Sequence, residues 1–125
     1  MLNHIALQCN DLAASAAFYD AVLATVGGAR QMDFSPQVIG YGPSPDMPVF
    51  WIGPFDSGDG FRETHVAFSA SSRAEVEAFF AAATALGAEV LHAPRLWPEY
   101  TPVYYAAFVR DPDGNNIEAV TFAPA

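Results

Sequence analysis

The chain repeats itself. His4-Ile5-Ala6-Leu7 returns 61 residues later as His65-Val66-Ala67-Phe68, Asp11 returns as the polar Ser72, and Phe18-Tyr19 returns as Phe79-Phe80. A unit used twice cannot bury its apolar face alone, so the copies must share a core. With 125 residues, 52% of them hydrophobic, there is material for one compact domain but not for two independent ones.

Each copy begins alike. Residues 2–9 alternate, placing His4, Ala6 and Gln8 on one strand face and Ile5, Leu7 and Cys9 on the other. Asn10-Asp11 then offers an N-cap to a helix running to about Val26, with Gly27-Gly28 as its stop. In the second copy His65, Ala67 and Ser69 share a face, and Ser72-Arg73-Ala74-Glu75 has the spacing of a capping box before a helix ending near Gly87. Short extended segments broken by Pro and Gly follow each helix, closing on Val49-Phe50-Trp51-Ile52 and on Asn116-Ile117-Glu118-Ala119-Val120. The expected architecture is α+β, two βαβββ modules over about 1–53 and 61–122 joined by a Gly- and Asp-rich linker, 54–60.

Composition removes several function classes. The formal charge is −9 and the only cations besides histidine are five arginines, so no basic footprint exists for nucleic acid or an anionic membrane. With no lysine, Schiff-base chemistry and a P-loop are excluded. Cys9 is alone, cannot form an intrachain disulfide, and reads as a small buried hydrophobe. No apolar run approaches the roughly 18 residues of a membrane span, and no signal-peptide pattern is present, so a cytoplasmic, reducing setting is expected.

Two histidines and one carboxylate on strand faces are the parts of a facial triad, which holds a divalent metal and leaves positions open. The chain supplies one such set in His4, His65 and Glu118. If the modules pack about a pseudo-twofold axis, equivalent residues converge on it, and aligning Phe50-Trp51-Ile52 with Ile117-Glu118-Ala119 puts Trp51 where a fourth ligand would stand. An indole cannot ligate a metal.

The first-strand histidine, Phe18-Tyr19, Thr64-His65-Val66-Ala67-Phe68 and the run Asp111-Pro112-Asp113-Gly114-Asn115-Asn116-Ile117-Glu118 together resemble the glyoxalase, bleomycin-resistance and extradiol-dioxygenase superfamily, the vicinal oxygen chelate proteins. The resemblance covers nearly the whole chain. It implies paired modules forming a curved mixed sheet around a cleft, helices on the convex side, and one divalent ion (Zn, Ni, Mn or Fe) on the concave side. The family's four metal positions fall on His4, Trp51, His65 and Glu118, so three ligands remain. That departs from the four-ligand glyoxalase I pattern and is closer to the two-His, one-Glu set of extradiol dioxygenases. The catalytic tyrosine of those dioxygenases falls on Phe108, leaving Tyr104, four residues earlier on the same parity, to substitute as proton donor; Glu118 and Tyr104 are the candidate catalytic residues. Fosfomycin-resistance transferases share the three-ligand set, but this chain lacks their cationic pocket.

The Pro-rich segment 93–102 carries Trp97 and Tyr100, which with Tyr104, Phe108 and Trp51 are candidates to line a substrate pocket, or alternatively to form a dimer interface. Arg95 is the one cation there, either a partner for a substrate carboxylate or a plain surface arginine. His92 reads as structural or solvent-facing. The resulting expectation is a metal-dependent lyase, isomerase or dioxygenase-like enzyme that chelates vicinal oxygens of a small, partly aromatic or apolar substrate, with water, Glu99 or Tyr104 moving protons. The alternative is a non-catalytic protein that binds or sequesters a small molecule, resembling the bleomycin-resistance members. Because family sites often lie between exchanged modules, a homodimer is expected, and His4 meets His65 either of its own chain or of a partner.

Overall fold

The computed structural model describes residues 1–125. Its elements run β1 (Ile5–Cys9), α1 (Leu12–Ala24), β2 (Ala29–Phe34), β3 (Val38–Gly42) and β4 (Phe50–Pro54). The second module repeats them as β5 (His65–Ser69), α2 (Arg73–Ala85), β6 (Val90–Leu96), β7 (Tyr105–Arg110) and β8 (Asn116–Thr121). The architecture is α+β, two βαβββ modules, as the repeat implied. Each module forms its own four-stranded mixed sheet, in the orders β1-β4-β3-β2 and β5-β8-β7-β6, with the first and last strands of the module parallel and the other pairs antiparallel.

Strand pairing turns the sequence repeat into a spatial one. Across the first sheet Ala6, Trp51, Gly40 and Met32 stand in one row; across the second the row is Ala67, Glu118, Phe108 and His92. Trp51 is thus the register counterpart of Glu118. His92 matches Met32, because the connection from the end of α1 to Gly27 is one residue longer than that from the end of α2 to Gly87, while the register irregularity before Met32 recurs before His92.

The helices end where side chains take over the backbone's unmet bonds. Asp11 accepts from the Ala14 amide at 3.0 Å at the start of α1. The helix stops at Ala24, short of Val26, as the Thr25 hydroxyl donates to the Val22 carbonyl at 2.6 Å and the Gly28 amide donates to that of Leu23 at 2.8 Å. At α2 the Ser72 hydroxyl accepts from the Glu75 amide at 3.2 Å, while the Glu75 carboxylate reaches back to the amide of Ser71, at 2.7 Å, one residue before the cap.

Leu7 and Cys9, Phe50 and Ile52, Ala107 and Val109, and Ile117 and Ala119 point from the two sheets toward the helices, where Phe18, Val22, Val76 and Phe79 meet them in one core of 19 buried residues. Phe50 meets Phe68 edge-on at 5.2 Å, joining the modules. Each fully buried side chain of this size contributes roughly 1.5–3 kcal/mol. Burial also pushes the Cys9 thiol up, which suits the inert role expected of it.

The turn after β7 ties the modules together. Gly114 (φ 95°) lets the chain reverse so that one carboxylate oxygen of buried Asp111 accepts from the amides of Asp113 and Asn115, both at 2.9 Å. The other oxygen accepts from the Asn115 carboxamide at 3.0 Å and from the Tyr19 hydroxyl, on α1, at 2.6 Å. Asp113 accepts from the Asn10 amide at 2.8 Å and the Ser15 hydroxyl at 3.2 Å. This turn therefore locks the hairpin leading to Glu118 and anchors it to the opposite module. Gln8, on the free face of β1, holds the linker by accepting from the amides of Asp56 and Ser57 at 2.8 and 3.1 Å. No helix is long and apolar enough to cross a membrane.

Candidate metal and substrate site

With the helices covering one face of each sheet, the side chains of opposite parity are left on the other. His65, Ala67 and Ser69 are exposed on β5, as are Ala6 and Gln8 on β1. Glu118 is the exception, a carboxylate on this face that is only 1% exposed. A carboxylate buried so deeply requires partners.

It has two. Tyr104, half-buried one residue before β7, donates its hydroxyl to Glu118 Oε1. His65 Nε2 lies 3.0 Å from Glu118 Oε2. The other ring nitrogen, Nδ1, is 3.0 Å from the backbone carbonyl of Asn116. Since that carbonyl can only accept, it assigns the Nδ1 proton and turns the Nε2 lone pair toward the carboxylate. Two lone pairs at that separation need a cation between them, either a proton or a metal.

The donor set fits a divalent metal. Two ligands each about 2.1 Å from an ion and at right angles stand about 3 Å apart, which is the separation found. A histidine ligand whose second nitrogen donates to a backbone carbonyl, beside a carboxylate held by a hydroxyl, has the outer contacts that orient metal ligands. Asn116, on the same strand parity as Glu118, has a buried side-chain Oδ1 without a hydrogen-bond partner. Burial and the bond to Glu118 together raise the Tyr104 phenol above its ordinary range, so it stays protonated as a donor.

His4 is not brought to this pair. It lies exposed just before β1 with Nδ1 2.7 Å from Asn3 Oδ1, and nowhere does one chain gather three His, Cys, Asp or Glu side chains close enough to hold an ion. A single chain thus assembles two of the three expected ligands.

The aromatic candidates of the second module do converge. Phe108 stacks on His65 at 6.0 Å and meets Trp97 at 5.1 Å, and Trp97 stacks on Tyr100 at 5.7 Å. Tyr100 meets Tyr104 edge-on at 5.1 Å. His92 belongs to the same cluster, edge-on to Trp97 at 4.8 Å and to Phe108 at 5.6 Å. Its place beside Phe108 follows from sheet register, which the sequence reading did not use. Trp97 is buried and donates its indole N–H to the Ala106 carbonyl at 3.2 Å, so it supports the wall more than it faces a ligand. Arg95 is already engaged: its guanidinium lies 3.4 Å above the Trp97 ring and pairs with Glu99 at 2.9 Å. Trp51 lies apart, in the first sheet.

The match of the Glyoxalase/Bleomycin resistance protein/Dioxygenase superfamily model to residues 1–119 shows that this chain belongs to that superfamily. Among solved structures it is similar to a glyoxalase/bleomycin resistance protein from Albidiferax ferrireducens T118, at 31% identity over 94% of this chain and 96% of that one, with a TM-score of 0.81. It shares its fold with a lactoylglutathione lyase from Agrobacterium tumefaciens (23% identity, 94% and 90% coverage, TM-score 0.68). The same holds for a glyoxalase-related enzyme from Fulvimarina pelagi (23%, 97% and 87%, TM-score 0.74). Among curated protein sequences none matches.

Proposed function

We propose that this protein is a metal-dependent enzyme of the lyase, isomerase or dioxygenase type, whose site forms between two copies of the chain. His65 and Glu118 of one subunit and His4 of the other are its ligands. The observation that carries this reading is the 3.0 Å His65–Glu118 pair, oriented by the Asn116 carbonyl and the Tyr104 hydroxyl, with no third His, Cys, Asp or Glu of the same chain gathered to it. Members of the superfamily commonly dimerise and use a divalent ion, which accords with a site completed by a second copy.

A bound divalent ion would supply Lewis-acid polarisation to two neighbouring oxygens of a small ligand. The chain does the rest. Phe108 and the aromatic cluster keep water from one side of Glu118, and Tyr104, a neutral phenol at the carboxylate, holds the proton nearest the ligand. Arg95 is committed to Glu99 and to the Trp97 face, so ligand recognition rests on aromatic surface and the metal rather than on a carboxylate clamp.

Metal analysis of protein purified without chelator tests the proposal. Wild type should carry close to one equivalent of divalent metal per chain, and His65→Ala should lose it. Wild type that is metal-free and takes up none on dialysis against Zn, Ni, Mn or Fe contradicts it. One observation favours a second reading, a binding protein without turnover: Trp51 stands in the register place of a ligand, and a proton shared between His65 and Glu118 also satisfies the pair. Metal-free wild type would favour that reading.

A further inference from the structure

The row Ala6, Trp51, Gly40, Met32 is built around one large ring. The six-membered ring of Trp51 lies so close over the Gly40 backbone that a Cβ there would sit 2.7–2.9 Å from three ring carbons. Only glycine permits that approach. The indole N–H donates to the Pro48 carbonyl at 3.1 Å, which fixes the ring about its long axis. Ala6 on the other flank adds no bulk, and the Met32 side chain, 38% exposed, extends the apolar strip. One face of the indole is thus spent on the sheet, and the residue stays partly exposed on the surface whose counterpart in the second module carries Glu118.

A side chain that served only the core would be buried among the helices, as Phe50 and Ile52 are on the same strand. Trp51 has the opposite parity and remains partly exposed. A rigid ring held flat by a glycine and a carbonyl offers a π face at little entropic cost. We infer that Trp51 determines specificity, selecting ligands with a flat unsaturated group next to their chelating oxygens, and that Gly40 is its positioning residue. The inference rests on the shared-site reading, in which the helix-free face of one subunit's first module meets that of the partner's second.

Two probes separate the ring from the chelation. Acetohydroxamate and benzohydroxamate bear the same pair of oxygens and differ in the phenyl group alone. Calorimetric titration of the dimer should show wild type preferring benzohydroxamate by about five- to tenfold beyond any preference in Trp51→Leu, with Trp51→Phe retaining most of the difference. Gly40→Ala should reduce the preference while leaving acetohydroxamate affinity within about twofold. Thermal melts of each variant confirm folding, and Gly40→Ala keeps the test available if Trp51→Leu does not fold. The same titrations on chelator-treated protein distinguish the two proposals. If acetohydroxamate binds neither form but benzohydroxamate binding still depends on Trp51, the metal reading fails and the stacking wall stands. If no variant changes the preference in either form, the wall is overturned whatever the metal content.

Discussion

His65 Nε2 and Glu118 Oε2 stand 3.0 Å apart on adjacent parallel strands, although His65 pairs in register with Asn116 and Glu118 lies two residues further along β8. The imidazole therefore leans along the sheet, and it does so because the Asn116 carbonyl holds its other nitrogen. The pair is half open: the His65 side chain is 48% exposed and that of Glu118 only 2%. The carboxylate is the buried anchor and the histidine the accessible member.

Tyr104→Phe removes the phenol donor to Glu118 Oε1 and leaves that oxygen without a protein partner. The expected loss is about 1–2 kcal/mol, read by urea denaturation of metal-free protein. Combining it with Glu118→Gln should cost clearly less than the sum of the single variants, since both act on one bond. Additive costs would show that the two side chains do not interact.

Tyr19→Phe breaks the bond between α1 and buried Asp111, the contact that joins the first module to the turn before β8. The Asn115 carboxamide still serves the same carboxylate oxygen, so the expected cost is about 1–2 kcal/mol rather than unfolding. Because the turn also positions β8, the variant should weaken metal binding without touching a ligand. An unchanged unfolding midpoint in urea would count against this tie.

Alkaline pH should unfold the protein cooperatively. Burial first, and then bonds to Asp111, Asp20 and Glu118 respectively, raise the phenols of Tyr19, Tyr41 and Tyr104 above their ordinary value of 10.0. A raised folded-state value means stability that is complete below pH 10 and lost as the pH climbs toward the folded values, because only the unfolded chain ionises there. Absorbance at 295 nm should therefore show these tyrosines ionising together with the loss of near-ultraviolet circular dichroism. Gradual ionisation of Tyr19 and Tyr41 in a chain that stays folded would contradict their burial.

Much of this was legible in the sequence because its signals are local or repeated. Period-two alternation placed His65 and Ala67 opposite Val66 and Phe68, and the repeat aligned Trp51 with Glu118, as the strand register then showed. The Asp-Pro-Asp-Gly turn was readable from its backbone requirements. What it reaches was not, since the bond from Tyr19 to Asp111 spans 92 residues and pattern carries no information about it. His92 was read as structural or solvent-facing because the 61-residue offset pairs it with Gln31, whereas in the sheet it occupies the place of Met32, one residue off that offset. Arg95 was open to two readings, a partner for a substrate carboxylate or a plain surface arginine, and Glu99 four residues on and the adjacent Trp97 ring engage it at the surface. The proposed triad could be named from the sequence only as three residue types, of which one chain unites His65 and Glu118.

Subunit mixing tests the shared site most directly. His4→Ala and His65→Ala chains, co-expressed with different tags and purified as the mixed dimer, each lack one member of the set. If the site is shared, one of the two sites in that dimer receives His4 from the His65→Ala chain and His65 with Glu118 from the His4→Ala chain, and is intact. The account predicts about one equivalent of tightly held metal per mixed dimer and little in either parent dimer. A mixed dimer with no more metal than its parents, or a wild type that stays monomeric at micromolar concentration while holding metal, would contradict it.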